Sequence, residues 1–290
     1  MILAAGGSLV YALVATWDDI RSHGLPQPGI VVAAFLLLAG AIGTASWSWS
    51  RLFRDPRARH QALVGYIVSQ TSKYLPAGGA IQLGTQVSMS TSSTMRRGEV
   101  AGLTLVHLWL TVLMGGAVGA LLLVPASGFE PLTVAFGLGV VLVAGFGSRN
   151  ATVSAAVSLL QMLSNRVPSP SSLPGDAMIR TSAIWIGANF LLQGSALAIL
   201  VREFDPSGSP AQTIGAFAWA WVAGFLVLPI PSGLGVREAV LVALAPSVTS
   251  GALIAASLVQ RGLTIVAELC LALALAWWRR QNRSETEENV

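Results

Sequence analysis

Leu228-Pro229-Ile230-Pro231-Ser232-Gly233-Leu234-Gly235-Val236-Arg237-Glu238 interrupts a long apolar stretch of the chain. Two prolines and two glycines within seven residues stop an arriving helix, since proline lacks the N–H and glycine gives the backbone its freedom. A charged pair then opens the next helical run. A shorter break, Leu75-Pro76-Ala77-Gly78-Gly79, occurs earlier, and Pro229 lies 153 residues beyond Pro76. Paired interruptions at corresponding positions of two apolar halves point to a transporter site near the bilayer midplane.

Composition agrees with a membrane setting. The chain is 53% apolar and 10% charged, against about 25% charged in ordinary soluble proteins, and its mean hydropathy is +0.68. A spanning helix needs about 20 apolar residues, so 290 residues leave no room for a sizeable soluble domain. The polar segments 51–60, 164–176 and 279–290 are too short to bury a core. Net charge +4 is read as the basic flanks of membrane helices and not as a nucleic-acid surface. The single cysteine, Cys270, sits in an apolar run, and no Cys/His spacing suggests a metal. No cofactor and no catalytic constellation are expected.

Six apolar segments, 2–17, 29–50, 98–124, 132–147, 178–201 and 250–278, have the length of full spans. The first lacks a basic region before it and ends in Trp17-Asp18-Asp19, so it reads as a retained helix and not a signal peptide. Four shorter segments, 61–75, 80–94, 211–228 and 235–245, flank the two breaks. They form two re-entrant hairpins, 61–95 and 211–245, whose turns need protein or a cavity around them. The expected fold is an all-α polytopic membrane protein, one transmembrane domain over 1–290, with six full helices and two re-entrant helical hairpins.

Charge orients the scheme. With the N-terminus in the cytoplasm, the inner loops hold Arg51, Arg54, Arg57, Arg59, Arg96, Arg97, Arg149, Arg166, Arg180, Arg279, Arg280 and Arg283. The outer loops hold Arg21 and Arg202 beside Asp18, Asp19, Glu130, Glu203 and Asp205. Both termini are then cytoplasmic, including the tail 279–290. The two hairpins enter from opposite faces, which makes an inverted repeat. Leu105-Val106 and Leu110-Thr111 echo Leu258-Val259 and Leu263-Thr264 at the same spacing. Trp17, Trp47, Trp49, Trp277 and Trp278 suit interfacial belts. Segment 150–165 reads as a cytoplasmic surface helix. Gly115, Gly116 and Gly119 allow close helix packing.

Lys73, Arg237 and Arg261 are the cations left within the membrane. Such a charge is costly there, so it pairs, faces water or snorkels. Arg237 and Glu238 begin a half-helix, whose N-terminus favours an anion, and arginine adds a bidentate fork for phosphate or carboxylate. An internal ion pair closing the hairpin is the competing role. Glu268 follows Arg261 by two helical turns on roughly the same face. A structural network joining Arg261, Glu268 and Glu238 stands beside direct substrate contact. His107, whose counterpart at the repeat spacing is Gln260, is either a packing residue or a substrate or proton group. Gln70, Gln82 and Gln86, with Ser69, Thr71, Ser72 and Thr85, make the first hairpin polar. They line a hydrated pocket or satisfy backbone groups freed at the break.

These residues resemble a known family. Ser72-Lys73-Tyr74-Leu75-Pro76-Ala77-Gly78-Gly79 is similar to the "KYLPGG" element of the lysylphosphatidylglycerol synthase/flippase transmembrane-domain family. The run from Leu228 to Glu238 is similar to its "P-x-P-G-G-L-G-x-R-E" element, and Gln260-Arg261-Gly262-Leu263 to the arginine-leucine pair of its last helix. The resemblance covers roughly residues 30–278. It implies a bacterial or archaeal inner-membrane protein that moves a lipid between leaflets, with Lys73, Pro76, Pro229, Gly233, Gly235, Arg237, Glu238 and Arg261 at motif positions. Ser232 stands for a usual glycine, Thr85 or Gln86 for an arginine, and His107 near a common glutamate. Those departures change the expected head group. Aminoacyl transfer is not expected from a stand-alone member. The expected substrate is a phospholipid or a polyprenyl-phosphate-linked sugar. Two other functions fit the residues: a membrane glycosyltransferase using Asp18 and Asp19, and a transporter of a small organic anion.

Overall fold

The computed structural model describes residues 26–73, 78–91, 95–126, 128, 130–163, 173–226 and 235–288. Every regular element among them is a helix: α1 (Pro28–Ser50), α2 (Pro56–Ser72), α3 (Gly78–Ser90), α4 (Arg97–Ala126), α5 (Pro131–Gly147), α6 (Asn150–Leu163), α7 (Asp176–Phe204), α8 (Pro210–Leu226), α9 (Val236–Leu244) and α10 (Ser250–Glu288). Prolines in the first turn start α1, α2 and α5, where a missing N–H removes no helical bond. Asp55 caps α2 by accepting the Arg57 N–H at 2.9 Å.

Four helices are long and apolar enough to cross a bilayer: α1, α4, α7 and residues 250–278 of α10. A fifth span is available if α5 is taken with α6, which turns away from it by 79°. The chain is therefore a multi-pass helical membrane protein. Its outer face supports this. Leu132, Phe136, Leu142 and Phe146 of α5 all point outward, with Leu36 of α1 and Leu273 of α10. A belt of that kind needs lipid around it. Segment 2–17, Trp17, Asp18 and Asp19 lie outside the described residues.

Helices recur at the 153-residue spacing of the two breaks. Shifted by that amount, α1 falls within α7, α2 falls one residue short of α8, and α4 starts where α10 starts. The packing repeats as well. α1 lies on α2 as α7 lies on α8, and α2 pairs with α3 as α8 pairs with α9. Across the halves, α4 packs on α7 and α8, while α10 packs on α1 and α2. α1 and α7 run antiparallel. The Gln27 N–H donates to Glu203 Oε2 at 3.1 Å, Gly40 faces Leu192, and the Trp47 and Trp185 rings meet 6.5 Å apart.

Two large apolar cores result, one toward each end, and a smaller cluster joins Ile42, Ile67 and Ala267. Trp49, Phe53, Val100, Leu103, Leu110, Ile179 and Phe190 belong to the first. Leu38, Leu197, Leu200, Val248, Leu253 and Ala256 belong to the second. Val100 and Leu103 correspond to Leu253 and Ala256 at the repeat spacing. In lipid such cores are held by close contact, which small residues permit. A Cβ at Gly119 would sit 2.3 Å from Trp219 Cδ1, and one at Gly115 2.7 Å from Val222 Cγ2. The glycines read as packing residues therefore let α4 approach α8 and α7.

Most of the described arginines outside the spans lie at one end. Arg54 Nη2 donates to the Leu173 carbonyl at 2.8 Å and Arg59 Nε to that of Phe53 at 2.6 Å, both beside the first core. At the other end, Asp205 accepts the Thr249 N–H at 2.9 Å. Trp49 corrects the sequence reading. It is 0% exposed, donates Nε1–H to Ser90 Oγ at 3.2 Å and packs on Phe53. Two residues along a helix turn by about 200°, so Trp47 faces outward while Trp49 points into the core. The helix α10 continues through the tail to Glu288. No proline or glycine follows Gly262 to stop it.

Candidate functional site

The site is built on α10, which reaches both hairpins with charges of opposite sign. Arg261 Nη2 donates to Glu238 Oε1 on α9. Lys73 Nζ, just past the end of α2, meets Glu268 Oε1 at 2.5 Å. Arg261 and Glu268 are seven residues apart, about 10 Å along the helix. Glu268 is 2% exposed and Lys73 30%, so the pair opens toward its lysine. The sequence placed Glu268 with Arg261; the helix instead sends them to different partners.

Glu238 has a second task. Its Oε2 accepts the Gly235 N–H at 2.8 Å and closes the first turn of α9. Gly235 has φ +83°, where L side chains are strained and glycine is not. The break thus ends in a glycine turn that delivers Arg237 and Glu238 together.

Arg237 is held differently from the other two cations. Its side chain lies over Gly224 of α8, where a Cβ would be 2.5 Å from Arg237 Cγ. Its guanidinium sits 5.5 Å from the Trp221 ring centre, and Trp221 stacks on Phe225 at 5.5 Å. Its Nε is shut off from solvent with no hydrogen-bond partner among the described residues. Glu238 faces Arg261 and Glu268 faces Lys73. Among the described residues, therefore, three cations share two carboxylates.

Apart from Lys73, the described part of the first hairpin is polar without being charged. Ser69, Thr71 and Ser72 donate back to the carbonyls of Tyr66, Val68 and Ser69 at 2.7, 2.8 and 2.7 Å. Those hydroxyls are satisfied on their own helix. Gln70 is not: it is 7% exposed and its Nε2 has no partner among the described residues. Gln86 is buried and Gln82 half-buried on α3. Gly78 and Gly79 open α3.

His107 lies in the first core. Its Nε2 is 2.8 Å from Ser48 Oγ, and the Trp49 and Tyr66 rings meet it edge-on at 5.5 and 5.9 Å. Its counterpart Gln260 donates Nε2–H to the Gln193 carbonyl at 2.7 Å. Both tie the last helix of a half to the first helix of that half. Pro76, Pro229, Pro231 and Gly233 lie outside the described residues. Of the predicted residues, Lys73, Glu268, Arg261 and Glu238 come together through α10, and Arg237 adjoins them on α9.

The seat of Arg237 is the feature that the sequence reading missed. Gly224, Trp221 and Phe225 lie before the break and Arg237 after it. The i, i+4 aromatic pair with a glycine between was the available signal. No protein-family model matches the chain, and comparison with curated proteins gives no match.

Proposed function

We propose that the protein moves an anionic-headed lipid between the leaflets of a bacterial or archaeal inner membrane, as its resemblance to the lysylphosphatidylglycerol flippase domains implies. The head group is a phosphate, on a phospholipid or a polyprenyl-linked sugar. The observation that carries this reading is the surplus cation. Lys73 and Arg261 each have a carboxylate, while Arg237 stands at a helix N-terminus against Trp221 with its Nε unpartnered among the described residues. A half-buried cation whose Nε is shut off from solvent favours an anion beside it, and a helix N-terminus with an arginine fork favours phosphate.

The fold proposed for this task has six full spans and two re-entrant hairpins in an inverted repeat. The recurrence of helices at one spacing and the antiparallel run of α1 and α7 support it. So does the length of α9, nine residues, which rises about 14 Å or half a hydrocarbon core of about 30 Å. In this reading the end with the first core is cytoplasmic, which the basic residues gathered beside it support.

Transport follows from exchange of ion-pair partners. A phosphate reaching Arg237 also draws Arg261 from Glu238. Freed Glu238 keeps the Gly235 N–H, and α10 loses one of its two holds on the hairpins. One half then rocks against the other and presents the site to the opposite side. Reconstitution into vesicles holding a fluorescent phospholipid in one leaflet tests the reading. The protein should speed its appearance in the other leaflet, and protein-free rates in every anionic lipid tried would refute it.

A further inference from the structure

The two halves differ at one place in a way that leaves a groove in the first. On α3, Leu83, Gly84 and Val87 form one wall, and on α4, Ala101, Leu105 and Leu108 form the other. The groove holds about 450 Å³ and is open to the outer surface, where Gly84, Ala101 and Leu105 are exposed. At the repeat spacing, Gly84 corresponds to Arg237 and Leu108 to Arg261. In the second half those positions carry guanidinium groups, Arg237 turned onto Gly224 of α8 and Arg261 onto Glu238. The first half has no side chain at Gly84, where even a Cβ would meet nothing within 4 Å.

Arg97 closes one end, exposed at the start of α4. Thr104, the polar group deep in the wall, is satisfied by the Val100 carbonyl at 2.9 Å and needs no ligand bond. From Arg97 to Leu108 is eleven residues, about 16 Å of helix. One leaflet of hydrocarbon is about 15 Å deep. The groove is therefore about as long as one leaflet is deep, with a cation at one end and carbon along the rest.

We infer that this groove is a lateral seat for one hydrocarbon chain of an anionic lipid, with the lipid's phosphate on Arg97. The argument is charge complementarity at one end, apolar walls along the rest, and a length that fits one leaflet. A soluble anion would use Arg97 alone and has no reason for the walls. The seat deepens the lipid-transport reading and rests on it for its purpose: it holds the lipid in the leaflet beside the first core before its head leaves Arg97 for the charged site.

Occupancy can be read without transport. The full-length protein is placed in phosphatidylcholine vesicles containing phosphatidylglycerol with a photoactivatable diazirine at one acyl-chain end. After illumination the labelled peptides are mapped. Labelling should concentrate on Leu83, Val87, Leu105 and Leu108 over the exposed face of α5. Gly84→Trp, which fills open space, should abolish it while the variant keeps its wild-type melting temperature. Arg97→Ala should weaken labelling by phosphatidylglycerol about fivefold, the worth of one basic residue near an anionic surface, and leave that by a phosphatidylcholine probe unchanged. Even labelling of α3, α4 and α5 that ignores Gly84→Trp would overturn the seat. That outcome with lipid transport intact removes the seat alone. Groove labelling without transport in any lipid keeps the seat and removes the transport reading.

Discussion

Lys73 and Glu268 meet at 2.5 Å across 195 residues of sequence, and the contact joins the first hairpin to the last helix. Glu268 is nearly inaccessible, so the loss of this partner falls on a carboxylate that water does not reach. Removing one member of a buried pair leaves an uncompensated charge, at a cost of roughly 2.5–3.5 kcal/mol on insertion scales. Lys73→Ala should therefore lower the melting temperature more than Lys73→Ala with Glu268→Ala together. Thermal unfolding in detergent across this double-mutant cycle checks the coupling. Additive losses would show that the two residues do not support each other.

Gly119 tests how the halves are pressed together. Any side chain there meets Trp219. Overpacking of this kind costs about 1–3 kcal/mol. Gly119→Leu should destabilise by that order, and Gly119→Leu with Trp219→Ala should recover part of the loss. Gly139→Leu on the exposed face of α5, where nothing lies within 4 Å, should leave the melting temperature unchanged or raised.

Gly235 tests the break. At φ +83° an alanine is strained by about 1–2 kcal/mol. Gly235→Ala should increase hydrogen exchange at the start of α9 and release Arg237 from Trp221. Quenching of Trp221 fluorescence, read in a protein retaining only that tryptophan, reports the release. An unchanged signal would mean that the turn does not position the arginine.

Asp205 gives a pH dependence outside the membrane. Hydrogen bonds from the Ser207 hydroxyl and then the Thr249 N–H hold its carboxyl below the usual carboxylate range. A depressed pKa in the folded state adds stability above the unfolded pKa, and that stability is lost as pH falls through the folded value. Protection against hydrogen exchange at Thr249 and the first turn of α10, taken relative to the intrinsic rate at each pH, should be flat from neutral pH down to about pH 4 and fall below it. Asp205→Asn should show the lowered protection at every pH.

Much of this was legible in the residues. The breaks at Pro76 and Pro229, the arginine sorting and the apolar runs point to a helical membrane protein with two matching halves. Partner choice was not legible. Arg261 and Glu268 share a helix face at seven residues' spacing, yet each reaches a different hairpin, because α10 lies between α9 and α2. Nor was the seat of Arg237, since spacing along the chain does not reveal that α8 folds back to put Gly224 beneath it. Trp49 misled because an interfacial and a buried tryptophan look alike near a helix end. Only the 200° turn from Trp47 separates them. Nor was the groove on α3 and α4 legible, because it depends on how those two helices splay around Gly84.

The central claim is that Arg237 receives the lipid phosphate. The direct measurement is the rate of transfer of a labelled anionic lipid in vesicles containing wild-type protein, Arg237→Lys or Arg237→Gln, at matched protein density and with matched melting temperatures. The account predicts loss of transfer in Arg237→Gln and partial transfer in Arg237→Lys, which keeps the charge without the bidentate fork. Transfer by Arg237→Gln at the wild-type rate would contradict it.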